Sequence, residues 1–185
     1  MKTSSRLVGM VLSVMSFIVL GTAVLLFAPK YQTQEPSVSP LSTTSLAAVA
    51  GGCTPINVSS PYVHLADQDA KQAGINPDCF TRHMYALSGL NPAARGDSGQ
   101  MGIAYLTGEQ ARSLSVDPMN PRAALVAAAH LMKQYLQKFD NDYSKALVAY
   151  ECGPDAVTRA ERDGGNVWLN YIPADAHLHL NEVMR

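Results

Sequence analysis

Residues 82–104 read RHMYALSGLNPAARGDSGQMGIA, and the order of elements in this stretch decides the fold. A helix-like run ends at Ser88-Gly89, an Asn91-Pro92 turn follows, and a loop of small residues leads through Gly99-Gln100-Met101-Gly102 into a new apolar segment. Just upstream, Asn76-Pro77 is a helix start, because proline suits the first turn, where its missing N–H costs nothing. Phe80, Met84 and Leu87 then recur at i, i+4 and i+7, which places them on one helical face. Gly89 suits a left-handed helix end, which a residue without Cβ adopts at little cost.

The same period continues on both sides. A first short helix is predicted over 64–72, ended by Gly74, and Thr107 can cap another that contains Ala111 and Leu114. Asn120-Pro121 opens the longest helix, 121–139, with Ala124, Leu125, Ala128, Leu131, Met132, Tyr135 and Leu136 inward. Its alanines allow neighbouring helices to approach closely. Asp142 caps 143–151, Gly153-Pro154 closes it, and a further helix runs to about Arg162. Trp168, Leu169, Tyr171 and Ile172 form an apolar clasp before a last helix from Pro173. No alternating strand pattern and no internal repeat occurs. The reading is an all-α domain over 62–185.

Upstream, the composition changes. Residues 29–61 are rich in Ser, Thr, Pro and small residues and almost uncharged, which leaves too little apolar side chain to offset ordering entropy; they read as a flexible linker. Residues 7–28 carry no charge and, as a helix, would span roughly 33 Å, enough to cross a bilayer core. This favours an uncleaved transmembrane anchor over 1–28. A signal peptide, and so a secreted product, is the alternative. Lys2 and Arg6 precede the run and only Lys30 closely follows, so the bulk of the chain is expected outside, as a single-pass membrane protein. Cys53, Cys79 and Cys152 suit an oxidising exterior and allow at most one internal bridge, whose pairing stays open.

With 14 Lys and Arg against 15 Asp and Glu, net charge is −1, and no basic stripe with interleaved aromatics occurs. Nucleic acid is excluded as a natural partner. No protein partner can be named. His177 and His179 are two apart and point to different helix faces, and neither His-Glu-x-x-His nor paired Cys-x-x-Cys occurs, so no metal and no cofactor is assigned.

The stretch 82–104 closely resembles the core motif of the soluble lytic transglycosylases, goose-type-lysozyme-like enzymes that cut peptidoglycan glycan strands. Three more passages carry the resemblance in the right order. LSVDPMNPRAAL at 114–125 is similar to the family's Leu-Gly-Val-Asp-Pro passage into the long helix. ALVAY at 146–150, followed by Gly153-Pro154, is similar to its Ala-Leu-x-Ala-Tyr-Asn-Ala-Gly-Pro. Trp168 to Pro173 resembles the entry to its terminal helix. The resemblance implies a lysozyme-like helical domain directed at the peptidoglycan glycan strand. It places Ser88, Met101, Tyr105 and Tyr150 along the sugar groove, with Tyr105 replacing a common glutamine.

In that family the residue before Ser-Gly-Phe-Asn-Pro is the catalytic glutamate, and here it is Leu87. By resemblance, that acid protonates the bridging oxygen of the β-1,4 bond from N-acetylmuramic acid to N-acetylglucosamine, against oxocarbenium-like charge on the sugar. As carboxylate it then takes the 6-hydroxyl proton while the 1,6-anhydro ring closes. Leucine has similar volume and no proton. Losing a general acid costs about 10²–10⁴ in rate. Glu151, directly after the motif tyrosine, is the one carboxyl placed to substitute; Asp97 reads as a loop cap and Glu109 as a first-turn acid compensating the helix dipole. The reading is therefore a glycan-binding domain with impaired catalysis. The alternatives are an active enzyme with Glu151 as relocated acid, and a protein-interaction module that keeps only the fold.

Overall fold

The computed structural model describes residues 53–185. The expected anchor, and the linker as far as residue 52, lie outside the described residues. Among the described residues no helix is long and apolar enough to cross a membrane.

Among the described residues seven α-helices follow in order: α1 (Pro61–Ala73), α2 (Pro77–Ser88), α3 (Gly108–Ser113), α4 (Pro121–Lys138), α5 (Tyr143–Cys152), α6 (Pro154–Gly164) and α7 (Ala174–Val183). A 3₁₀ segment, Gly165–Tyr171, joins the last two. Local chemistry explains where they begin. The side chains of Asn76, Asn120 and Asp142 accept from the backbone N–H of Cys79, Ala123 and Lys145, respectively. Each satisfies a donor that the first helical turn leaves without a partner. Thr107 and Gln110 form a reciprocal capping box on α3. Gly74 and Gly89 end α1 and α2 in the left-handed conformation.

The helices enclose one core. α4 packs on α1 and α5; α2 packs on α1 and α7; α5 also meets α6 and α7. Phe80 and Met84 of α2, Leu125 and Met132 of α4, and Leu147 and Val148 of α5 are all buried in it. Each such side chain contributes roughly 1.5–3 kcal/mol by leaving water. Of the residues expected inward on α4, Tyr135 is half-buried and the rest are buried.

Two boundaries differ from the sequence reading. Residues 53–60, assigned there to the linker, lie against the domain. Cys53 is disulfide-bonded to Cys79 on α2, and Ile56 and Val58 pack on the core. The Arg82 Nε–H donates to the Thr54 carbonyl at 2.9 Å, and Nη1 to the Glu182 carbonyl at 3.2 Å. A single α2 side chain thus holds the start and the end of the domain together. Average polarity reports neither a covalent bridge nor a guanidinium with two backbone acceptors. The helix α1 begins at Pro61, behind Ser60 as cap. The expected apolar clasp is the 3₁₀ segment: Trp168 is buried, while Tyr171 lies largely exposed over Gly164.

The loop between α2 and α3 is folded back on itself. Met101 exchanges backbone hydrogen bonds with Leu106 at 2.9 and 3.0 Å, and Gly96 N–H donates to Gln100 O at 2.9 Å. Gly102 sits at φ 75°, and a Cβ there would collide with the Pro118 carbonyl. Glycine is required twice at this position, by conformation and by space.

Two outcomes are expected. Cys53→Ser should lower stability by about 3–4 kcal/mol, the loop-closure value for a bridge spanning this much chain, read from denaturant midpoints. Gly102→Ala should cost at least about 2 kcal/mol through strain and the Pro118 clash, against under about 1 kcal/mol for the same change at Gly108, where an added Cβ would meet only the Arg112 side chain at ordinary contact distance.

Candidate functional site

The helix α2 carries the position of interest near its C-terminal end. Leu87 is half-buried and packs on the edge of the core. Ser88 is turned inward: its hydroxyl lies 2.6 Å from the Ile103 carbonyl and 3.0 Å from the Met84 carbonyl. One hydroxyl hydrogen serves one of them, and the shorter distance favours Ile103. The next carbonyl along the loop, that of Ala104, accepts from the Tyr150 hydroxyl at 2.7 Å. Gln110 in turn donates to the Tyr150 carbonyl at 2.9 Å. The loop apex is therefore suspended between α2, α3 and α5.

Of the residues expected along a sugar groove, Tyr150 is buried, at 3 % exposure, and so does not line an open groove. Burial, with a smaller contribution from Tyr135, pushes its phenol pKa well above the ordinary value, so it stays a neutral donor. Ser88 is occupied by the loop. Met101 and Tyr105 are half-buried, Tyr105 at φ 52° with its ring over Gly96. These two, with Leu87, keep accessible side-chain surface. Asp97 and Glu109 are exposed.

Glu151 does not stand alone. Its carboxylate oxygen lies 3.0 Å from His179 Nε2 on α7, with side-chain exposures of 20 % and 12 %. The contact is close, yet neither atom reaches hydrogen-bond alignment with any partner. His83 of α2 completes the group; one ligand-type atom from each of the three residues lies within 4.8 Å of the others. His83 is 0 % exposed and both its ring nitrogens lack partners. Its ring meets Tyr150 edge-on at 4.7 Å and His179 at 5.3 Å between centroids.

Burial dominates the electrostatics. It raises the Glu151 pKa to about 8, helped by the negative charge of Asp175. It lowers His179 to about 4, opposed by Glu182, and holds His83 well below the ordinary histidine range, with His179 adding to the effect. Each shift disfavours an isolated charge in a poorly solvated place.

Sequence spacing did not reveal this trio. Along the chain the neighbouring histidine of His179 is His177, whereas its spatial partners come from α2 and α5. His83 lies five residues before Ser88, whose hydroxyl is spent on the loop. The one signal available was chemical: Glu151 follows the motif tyrosine where the family pattern has asparagine.

With this geometry in hand, comparison with known proteins is decisive for the family. The model of the transglycosylase SLT domain matches residues 64–168. The chain belongs to this family. It is 30 % identical over 105 residues to the peptidoglycan transglycosylase gp16 of Escherichia phage T7, a match covering 52 % of this chain and 8 % of that protein. Among solved structures it resembles the lytic transglycosylase Slt of Pseudomonas aeruginosa, an inactive glutamate-to-glutamine mutant, with TM-score 0.57 and 20 % identity over 66 % of this chain and 23 % of that one. The chain thus spans a small part of each relative, and the second likeness concerns the fold. The family match ends at residue 168, so α7, with Asp175 and His179, lies beyond it.

Tyr150→Phe tests the suspension of the loop. It leaves the buried Ala104 carbonyl without a donor, at a cost of about 1–3 kcal/mol. Amide exchange should accelerate in residues 96–106 while the α4 core keeps its protection.

Proposed function

We propose that this domain binds the glycan strand of peptidoglycan and is impaired in the cleavage its family performs, because Leu87 holds the place of the general acid. The observation that carries the reading is the contrast within α2. The scaffold around the position is intact, from the Asn76 cap to the Gly89 end and the suspended loop. The residue that should carry the proton is an aliphatic side chain packed against the core. The T7 relative is a peptidoglycan transglycosylase, and the Pseudomonas relative is described as inactive after loss of one glutamate carboxyl. The first favours a peptidoglycan ligand, and the second fits a single decisive carboxyl.

Glu151 is a poor replacement on geometric grounds. It faces His83, one helical turn before Leu87 and so roughly 6 Å along the α2 axis. A catalytic group misplaced by about 1 Å already loses on the order of 10²-fold. Its carboxyl also lies against His179, at 3.0 Å. The uncharged run at 7–28 fits a membrane anchor, with the domain on the outer side of the membrane. The Cys53–Cys79 disulfide supports this placement, since such bridges persist in oxidising compartments.

The full-length chain should co-sediment with purified sacculi and release anhydro-muropeptides slowly or not at all. Leu87→Glu should raise release by about 10²–10⁴-fold if the rest of the groove is competent. Efficient release by the unaltered chain, abolished in Glu151→Gln, would establish the relocated acid instead. Neither binding nor release by a folded chain would leave the protein-interaction reading.

A further inference from the structure

We propose that His83, Glu151 and His179 form a binding site for one divalent transition-metal ion of the zinc class, clamping α2, α5 and α7 together. The donor set is two imidazoles and one carboxylate, which suits borderline ions such as Zn²⁺. Three protein ligands also leave a fourth coordination position for water or another ligand.

Four observations converge on the site. The donor atoms already crowd one point, all within 4.8 Å of one another, with the Glu151–His179 pair at 3.0 Å. Tetrahedral coordination with bonds of about 2.0–2.1 Å sets donor atoms about 3.3–3.4 Å apart, so modest side-chain rotations suffice. His83 is wholly buried with two nitrogens that no protein group satisfies. Buried polar atoms of this kind are rare in folded proteins and call for an explanation. The imidazoles of His83 and His179 are inclined at 63° with centroids 5.3 Å apart, so the two rings are not stacked face to face. Finally, Asp175 stands one turn before His179 on α7, adding negative charge beside a site that would hold a cation.

A hydrogen-bonded polar cluster is the competing account, and it fails on geometry. The pair at 3.0 Å is not aligned as a hydrogen bond, and His83 bonds to neither partner. One ion at the centre would satisfy a nitrogen of each histidine and an oxygen of Glu151 at once. The remaining exposure of Glu151 and His179 gives the ion an entry side, and Leu87 lies one turn further along α2.

The test uses the full-length chain, stripped by a chelator and titrated with Zn²⁺ alone by calorimetry and with Co²⁺ by visible absorption. The expected result is one ion per chain with a dissociation constant on the order of 1 µM or tighter. Saturating Zn²⁺ should raise Tm by roughly 5–10 °C. Co²⁺ should give the intense d–d bands of a four-coordinate centre. His179→Phe and Glu151→Gln, each checked for folding by circular dichroism, should weaken Zn²⁺ binding by at least about 100-fold and abolish those bands. The proposal is overturned if the unaltered chain binds Zn²⁺ no more tightly than about 1 mM, or if both folded variants bind as it does. Since glycan plays no part in the measurement, the result stands apart from the peptidoglycan reading.

Discussion

The Tyr150 hydroxyl, donating to the Ala104 carbonyl across the junction of α5 with the α2–α3 loop, is the constraint on which the site depends. It is buried, so no water stands ready to replace it. It acts beside the Ser88 hydroxyl on the preceding carbonyl, and the two bonds hold consecutive backbone groups from opposite sides. A loop with few large side chains has little apolar surface to bury and cannot order itself by burial. These polar ties, with the Met101–Leu106 exchange, do it instead. The end of α2 acquires a defined position relative to α5 as a result, and Leu87, His83 and Glu151 acquire a defined relation to one another.

That relation gives nearby positions on the same two helices different surroundings. Successive turns of α2 present Leu87 to the domain's edge and His83 to its interior. On α5 the adjacent Tyr150 and Glu151 divide similarly, Tyr150 being sealed in and Glu151 retaining some exposure. On the proposed reading, the aliphatic residue stands where the family pattern has a carboxyl. The ionisable residues are gathered one turn deeper, where charge is costly. Burial at Leu87 favours folding; burial at His83 opposes it. The fold thus has no electrostatic penalty at Leu87 and a concentrated one nearby.

Much of this architecture was legible in the sequence because it is local. Asn76-Pro77, Thr107, Asn120-Pro121 and Asp142 announce helix starts through bonds that reach only two or three residues. The Phe80–Met84–Leu87 spacing fixes a face by geometry alone. What was not legible depends on contacts between distant segments. The Cys53–Cys79 pairing, and with it the ordering of 53–60, needs the Arg82 contacts to be seen. The motif at 146–150 locates Tyr150 correctly in the chain, but not the direction of its ring, which points to His83 and the loop. The trio of His83, Glu151 and His179 is drawn from three helices, one of them beyond the family's matched span, and spacing along the chain carries no trace of it.

The energetic scale of that trio bears on its meaning. A buried polar group without a partner costs about 1–3 kcal/mol, and His83 alone presents two such atoms. Glu151 and His179 add one each. Against a total stability of about 5–15 kcal/mol for an ordinary domain, the combined penalty is a sizeable fraction. Apolar substitutes would fit these helices: the same α2 accommodates leucine one turn later. A fold that keeps three ionisable side chains in contact, at this cost and without mutual hydrogen bonds, is built for an occupant that supplies the missing interactions. A cation drawn to two imidazoles and a carboxylate would engage one nitrogen of each histidine and the Glu151 oxygen, turning the least favourable region of the interior into a link between the first and last helices around the site.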